Sequence, residues 1–188
     1  MNEVHGAFLE LMTVLDEMEL PYAVGGSIAS AAHGIARATQ EVDLVVDLSP
    51  EEAFALAGRL ESGFAVDPER AREAIAANRP FNLIHMASAL KFAIFPMTYF
   101  AHGEEELRRR QMQEGTGLVA EGAVPVVSAE DIILAKLAWF RRGGETSERQ
   151  WRDVESIWSI RGTTLDWTYL TRWADEMKTM DLLLQLAR

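Results

Sequence analysis

Residues 22–46 hold the feature that most constrains this chain. A short apolar run, Tyr22-Ala23-Val24, is broken by Gly25-Gly26 and followed by the small-residue run Ser27-Ile28-Ala29-Ser30-Ala31-Ala32. The pattern predicts a strand, a tight turn and a helix slim enough to pack closely on a sheet. From residue 41, Val42, Leu44, Val46 and Leu48 alternate with Glu41, Asp43, Val45 and Asp47, the period of a strand with one apolar face. A glycine pair at a helix entry presents free N–H groups to an anion. Carboxylates two positions apart on a strand share a face and can hold a cation between them. Each half also has an ordinary reading. Gly-Gly-Ser serves in plain strand-to-helix turns, and acids decorate the solvent face of half-buried sheets. Their succession within one stretch points to phosphate and cation binding, the needs of a protein that handles nucleotides.

The rest of the chain supplies an α+β frame for this stretch. Val4, Phe8, Leu11, Met12 and Leu15 recur at helical spacing, which predicts a helix over 3–19 that Pro21 stops. Pro50-Glu51-Glu52 opens a second helix, Phe64-Ala65-Val66 is briefly extended, and Pro68 opens a helix to about Asn78. Phe81–Met86 and Leu90–Met97 read as an antiparallel hairpin. Residues 104–113 read as a charged helix, with Leu118-Val119 and Val124–Val127 extended. Ser128-Ala129-Glu130-Asp131 is an N-cap with acids in the first turn, and helices follow over 132–140, 147–160 and 166–187. The expectation is a mixed sheet flanked by helices in 1–127 and a helical region packed on it in 128–188.

Composition removes several alternatives. With 188 residues, 48% hydrophobic and 25% charged, the chain has material for one real core. It contains no cysteine, which excludes disulfides and thiolate metal sites. No apolar run approaches the roughly 20 residues that span a bilayer, and Met1-Asn2-Glu3-Val4-His5 lacks the basic and apolar regions of a secretory leader. A cytoplasmic protein without membrane partners is the expectation. A formal net charge of -11 speaks against binding a long nucleic acid, although a tRNA end or a protein partner stays compatible with it. Arg108-Arg109-Arg110 and Arg141-Arg142 read as solvated helix faces, and the five tryptophans of the last third as helix contacts.

Gly25-Gly26-Ser27, His33-Gly34, Arg37, Thr39, Glu41 and Asp43, in that order, resemble the signature of the nucleotidyltransferase superfamily with the polymerase beta-like fold. The similarity is to the branch of AbiEii-type and minimal (MNT) toxin–antitoxin enzymes. It extends weakly to Glu130–Leu137 and Ser147–Val154. The resemblance implies transfer of a nucleoside monophosphate from a nucleoside triphosphate (NTP) to a hydroxyl of RNA or protein. It also implies Mg²⁺ or Mn²⁺ at Glu41 and Asp43, the catalytic carboxylates, and triphosphate contacts at Gly25, Gly26 and Ser27, with Arg37 a further candidate.

One part of that machinery departs from the pattern. The branch places a third carboxylate in a Lys-x-Asp-hydrophobic-Phe context on the second strand of the hairpin, and here the context is Lys91-Phe92-Ala93-Ile94-Phe95. Ala93 stands where the acid is expected, and the first metal position is Glu41 rather than Asp. Asp47 lies about 13 Å along the strand from Asp43, too far to substitute. Lys91 shares the face of Ala93 and places a positive charge near the cation position, where it could also meet phosphate. The alternative reading is therefore a catalytically degenerate protein that binds a nucleotide or a partner. Asp67 and Glu104 are acids that folding could bring to the gap.

Overall fold

The computed structural model describes residues 3–187; Met1 and Asn2, the start of the segment read for a leader, lie outside the described residues. Helix α1 (Glu3–Glu17) buries Phe8, Leu11 and Leu15 completely. Glu19 takes a left-handed conformation (φ 55°), and Leu20 and Pro21 then lead into strand β1 (Tyr22–Val24). Helix α2 (Gly26–His33) and strand β2 (Glu41–Val46) follow. Helix α3 (Pro50–Leu60) starts with a full capping box: Ser49 Oγ accepts from the Glu52 amide, and the Glu52 carboxylate accepts from the Ser49 amide at 2.7 Å. Strand β3 (Phe64–Ala65), helix α4 (Pro68–Ala76) and the antiparallel pair β4 (Phe81–His85) and β5 (Lys91–Pro96) come next.

The sheet has seven strands in the order β3-β4-β5-β2-β1, completed by β7 (Ala123–Val126) and β6 (Gln111–Glu114). β2 lies between β1, antiparallel, and β5, parallel. This register decides the architecture of the site. Val42 faces Phe92 and Leu44 faces Ile94, all buried, and Phe8 of α1 stacks on Phe92 at 6.5 Å, so this face of the sheet closes the core. The alternate residues pair as Glu41 with Lys91, Asp43 with Ala93 and Val45 with Phe95, and they occupy the opposite face.

After β5 the chain makes a 3-10 turn (Met97–Tyr99) and a short helix α5 (Gly103–Arg108). Helix α6 (Ala129–Arg142) is capped by Ser128, whose Oγ accepts from the Asp131 amide. It packs against α2 and against α7 (Glu148–Arg161), while α8 (Trp167–Glu176) and α9 (Met180–Leu186) complete the helical third. The mixed α+β architecture expected from the sequence is the observed one. No described helix is long and apolar enough to cross a membrane.

Three local expectations are corrected. The charged helix over 104–113 ends at Arg108, because Gln111–Glu114 pairs with β7 as an exposed edge strand. Leu118-Val119 is irregular, with Leu118 buried, and belongs to no ladder. The helix over 166–187 is two helices, broken where Lys178 turns left-handed (φ 57°) and Thr179 is buried.

Candidate functional site

Gly26 carries the tightest geometry of the site. Its φ of +55° is a conformation that side chains rarely adopt, and a Cβ there would sit 1.7 Å from Oδ2 of Asp43. The carboxylate of Asp43 therefore rests directly against the turn that opens α2. The Gly25 amide donates to the Asp43 carbonyl at 2.8 Å, which locks the turn to β2. No side chain caps α2, so its first-turn amides stay available to an anion beside the carboxylate pair.

These residues line a cavity of about 850 Å³, a volume typical of small-molecule sites. Gly25, Gly26, Ser27, Arg37, Glu41, Asp43 and Lys91 all contribute to its wall, so the structure gathers every site residue read from the sequence. Lys136, Arg149, Gln150, Trp139, Tyr99 and Glu106 join them from segments that sequence reasoning had not assigned to the site. Asp67 and Glu104 do not: Asp67 caps α4, and Glu104 is exposed.

The charges are ordered by a compact network. The Arg37 guanidinium donates from Nε and Nη2 to the two oxygens of Asp153, each at 2.8 Å, and from Nη2 to Ser27 Oγ at 2.7 Å. Lys136 Nζ lies 2.8 Å from Asp153 Oδ2 and donates to Gln150 Oε1 at 2.9 Å. Burial raises the Asp153 carboxyl, but the hydrogen bonds from Arg37 and Lys136 outweigh it and hold the acid below its ordinary range. Burial lowers the Lys136 ammonium, with Asp153 opposing. Arg149 is exposed at the cavity and forms no ion pair with a described residue, so its guanidinium is free for a ligand.

The carboxylate pair is strained electrostatically. Burial, and then the neighbouring Glu41, push the Asp43 carboxyl up to about 6, against partial relief from Lys136, Lys91 and Arg149. Glu41 is answered by Lys91, whose Nζ lies 2.7 Å from its Oε1. Ala93 is the register partner of Asp43 and offers no ligand. Among the described residues no group of three or more His, Asp or Glu side chains could hold a metal ion. Two carboxylates beside a helix entry with open amides could hold one Mg²⁺, because Mg²⁺ commonly takes one or two protein carboxylates and completes its shell with water or phosphate oxygens. They do not fit a protein-built pair of metal ions.

His33, the last residue of α2, is buried and donates from Nε2 to the Val127 carbonyl at 2.7 Å. It pins α2 to the exit of β7, and burial lowers its pKa.

No family model matches the sequence, and no curated protein matches it. Similar solved structures exist. An antigenic nucleotidyltransferase-like protein from Paracoccidioides brasiliensis superposes with a TM-score of 0.63 at 18% identity, over 100% of this chain and 89% of that one. The antibiotic-resistance factor ANT(2'')-Ia gives 0.55 at 16% identity, over 98% and 97%. The lincosamide antibiotic adenylyltransferase LnuA, bound to lincomycin, gives 0.54 at 15% identity, over 85% and 98%. The chain therefore has the fold seen in nucleotidyltransferases.

Proposed function

We propose that this chain binds a nucleoside triphosphate at the turn between β1 and α2 and transfers its nucleoside monophosphate to an acceptor hydroxyl. The observation that carries the proposal is the contact between the Gly26 turn and Asp43: a helix entry with no side-chain cap and a carboxylate meet at one point of a cavity. Transfer forms a bond from the acceptor oxygen to the α-phosphorus and breaks the bridge to the β-phosphate. Pyrophosphate leaves, and the hydroxyl proton passes to solvent or a base.

The α2 amides and Ser27 orient the triphosphate. Lys136 and Arg149 offset its charge, while Asp153 holds Arg37 and Lys136 in place. Glu41 and Asp43 would hold one Mg²⁺, which when bound offsets phosphate charge and aligns the leaving group. The acceptor hydroxyl, on RNA, protein or a small molecule, enters from the side of the cavity away from the Gly26 turn. Residues 1–127 supply the turn and the acids, and residues 128–188 supply Lys136, Trp139 and Arg149. A cytoplasmic protein of the AbiEii/MNT branch, working in a toxin–antitoxin setting, is the context consistent with the signature in 22–47.

A second reading is nucleotide binding without turnover. Two observations favour it: Ala93 faces Asp43, and Lys91 occupies a carboxylate oxygen of Glu41. Incubation with labelled nucleoside triphosphates, Mg²⁺ or Mn²⁺ and cell lysate separates the two. Transfer that disappears in Asp43→Ala supports the enzyme. Transfer absent from the native chain but appearing in Ala93→Asp supports the binder.

A further inference from the structure

The cavity has a second half that the phosphate and cation groups leave unused. Along the shared face of β2 and β5 the register steps from Glu41/Lys91 to Asp43/Ala93 and then to Val45/Phe95. The wall thus turns from charged to apolar within one pleat repeat, about 7 Å beyond Asp43. Aromatic rings continue it. Tyr99 meets Phe95 edge-on at 5.3 Å and stacks on Trp139 at 5.5 Å, and both Tyr99 and Trp139 line the cavity.

Glu106, from α5, lines the same cavity while only 2% exposed. No hydrogen bond or ion pair from a described residue reaches its carboxyl. Burial, and then the nearby Asp131 carboxylate, push it well above the ordinary carboxylate range. Asp131 itself is answered within the fold: Ser128 Oγ donates to it at 2.5 Å and Tyr169 Oη at 2.6 Å, and the Arg109 guanidinium lies 3.8 Å away. Glu106 has no such donor. A buried acid without a partner is destabilising, so its place in a cavity wall points to a partner from outside the chain.

We propose that this half of the cavity binds a small organic monoamine with an aromatic or aliphatic body, its ammonium against Glu106 and its body against Tyr99 and Trp139. An ammonium favours the charged form of the buried acid. The rings give the body apolar contact, not a cation seat, since the Arg142 guanidinium already lies 4.9 Å from the Tyr99 ring and 5.7 Å from the Trp139 ring. One free carboxyl matches one amine. Glu106, once charged, would add a negative group to the wall of a chain of net charge -11, which disfavours a phosphate-rich acceptor such as an RNA end. Naming this half the acceptor subsite rests on the transferase reading; the binding of an amine does not.

The test uses tyramine, which joins an aromatic ring, a hydroxyl and an ammonium, and 4-ethylphenol, which lacks the ammonium. Both are titrated into the full chain and into Glu106→Gln, with binding followed by ligand-observed NMR and calorimetry. The expected result is at least tenfold tighter binding of tyramine than of 4-ethylphenol, with the difference removed by Glu106→Gln. That variant keeps the side-chain shape and removes a buried acid, so it retains the fold; Trp139→Leu should weaken both probes. Equal affinities, no binding of either probe, or a preference for tyramine that survives Glu106→Gln overturns the proposal. Tyramine binding without any nucleotidyl transfer upholds this inference and counts against the transferase. Transfer confined to acceptors without an amine does the reverse.

Discussion

Lys91 and Glu41 face each other across the parallel pair β2–β5, with Nζ 2.7 Å from Oε1. The lysine thus neutralises the carboxylate that a divalent cation would need, and the two compete for one oxygen. Both side chains are about two-fifths exposed, so the pair itself contributes at most about 1 kcal/mol to stability. Lys91→Met should leave the chain folded and lower, severalfold, the Mg²⁺ concentration that gives half-maximal thermal stabilisation by nucleoside triphosphate. A Mg²⁺ requirement unchanged by the substitution would show that the lysine does not occupy the cation position.

The two glycines of the turn should respond differently to alanine. At Gly26 a Cβ meets the Asp43 carboxylate and a positive φ, a combination that destabilises by about 1–3 kcal/mol and displaces the acid. At Gly25 the nearest atom to an added Cβ is the Asp43 carbonyl oxygen at 3.9 Å, an ordinary contact. Urea denaturation should therefore show a large loss for Gly26→Ala and a small one for Gly25→Ala. Nucleotide binding should be lost only in the first.

Asp153 joins two cations of the cavity wall, Arg37 and Lys136. Its side chain is 8% exposed and that of Lys136 5%, so removing the acid leaves a buried ammonium without its counter-charge. Such breaks cost about 3–5 kcal/mol. Asp153→Ala should lose stability on that scale in denaturant, and Asp153→Ala with Lys136→Met should recover much of it. Equal losses in the single and double variants would mean that the ion pair is not what the acid contributes.

Asp43 predicts a pH dependence of stability. Its folded pKa, about 6, stands above the ordinary value of 3.8, so the folded chain binds this proton more tightly than the unfolded one. The stabilisation this gives is complete below 3.8 and is lost as the pH rises through 6. Asp43→Asn removes the dependence. Relative to the native chain it should gain on the order of 1–2 kcal/mol at pH 8 compared with pH 4. Thermal or urea unfolding at the two pH values measures the difference, and a variant equally displaced at both would contradict the strained carboxylate pair.

The part of the candidate site that lies in residues 25–43 was legible because its geometry is local. Gly26 and Asp43 meet through a turn, one short helix and one strand, and each element has its own sequence pattern. The acids and cations that arrive from elsewhere were harder to see. Lys136 interrupts the apolar run Ile132–Leu137, and a lone charge on a buried helix face was the available signal. Glu106 follows two exposed or half-exposed glutamates, and only the packing of α5 separates it from them. Trp139 read as a helix contact because periodicity cannot tell a core wall from a cavity wall. The edge strand Gln111–Glu114 carries no apolar alternation, since its ladder with β7 and not burial of its side chains defines it.

The proposed seat of the nucleoside triphosphate is where the Gly26 turn meets Asp43. Calorimetric titration of each of the four common nucleoside triphosphates, with Mg²⁺, into the native chain and into Asp43→Ala tests it most directly. The expected result is saturable binding of at least one nucleotide to the native chain, weakened at least tenfold, about 1.4 kcal/mol, in Asp43→Ala. No binding of any of the four, or binding that Asp43→Ala leaves unchanged, would contradict it.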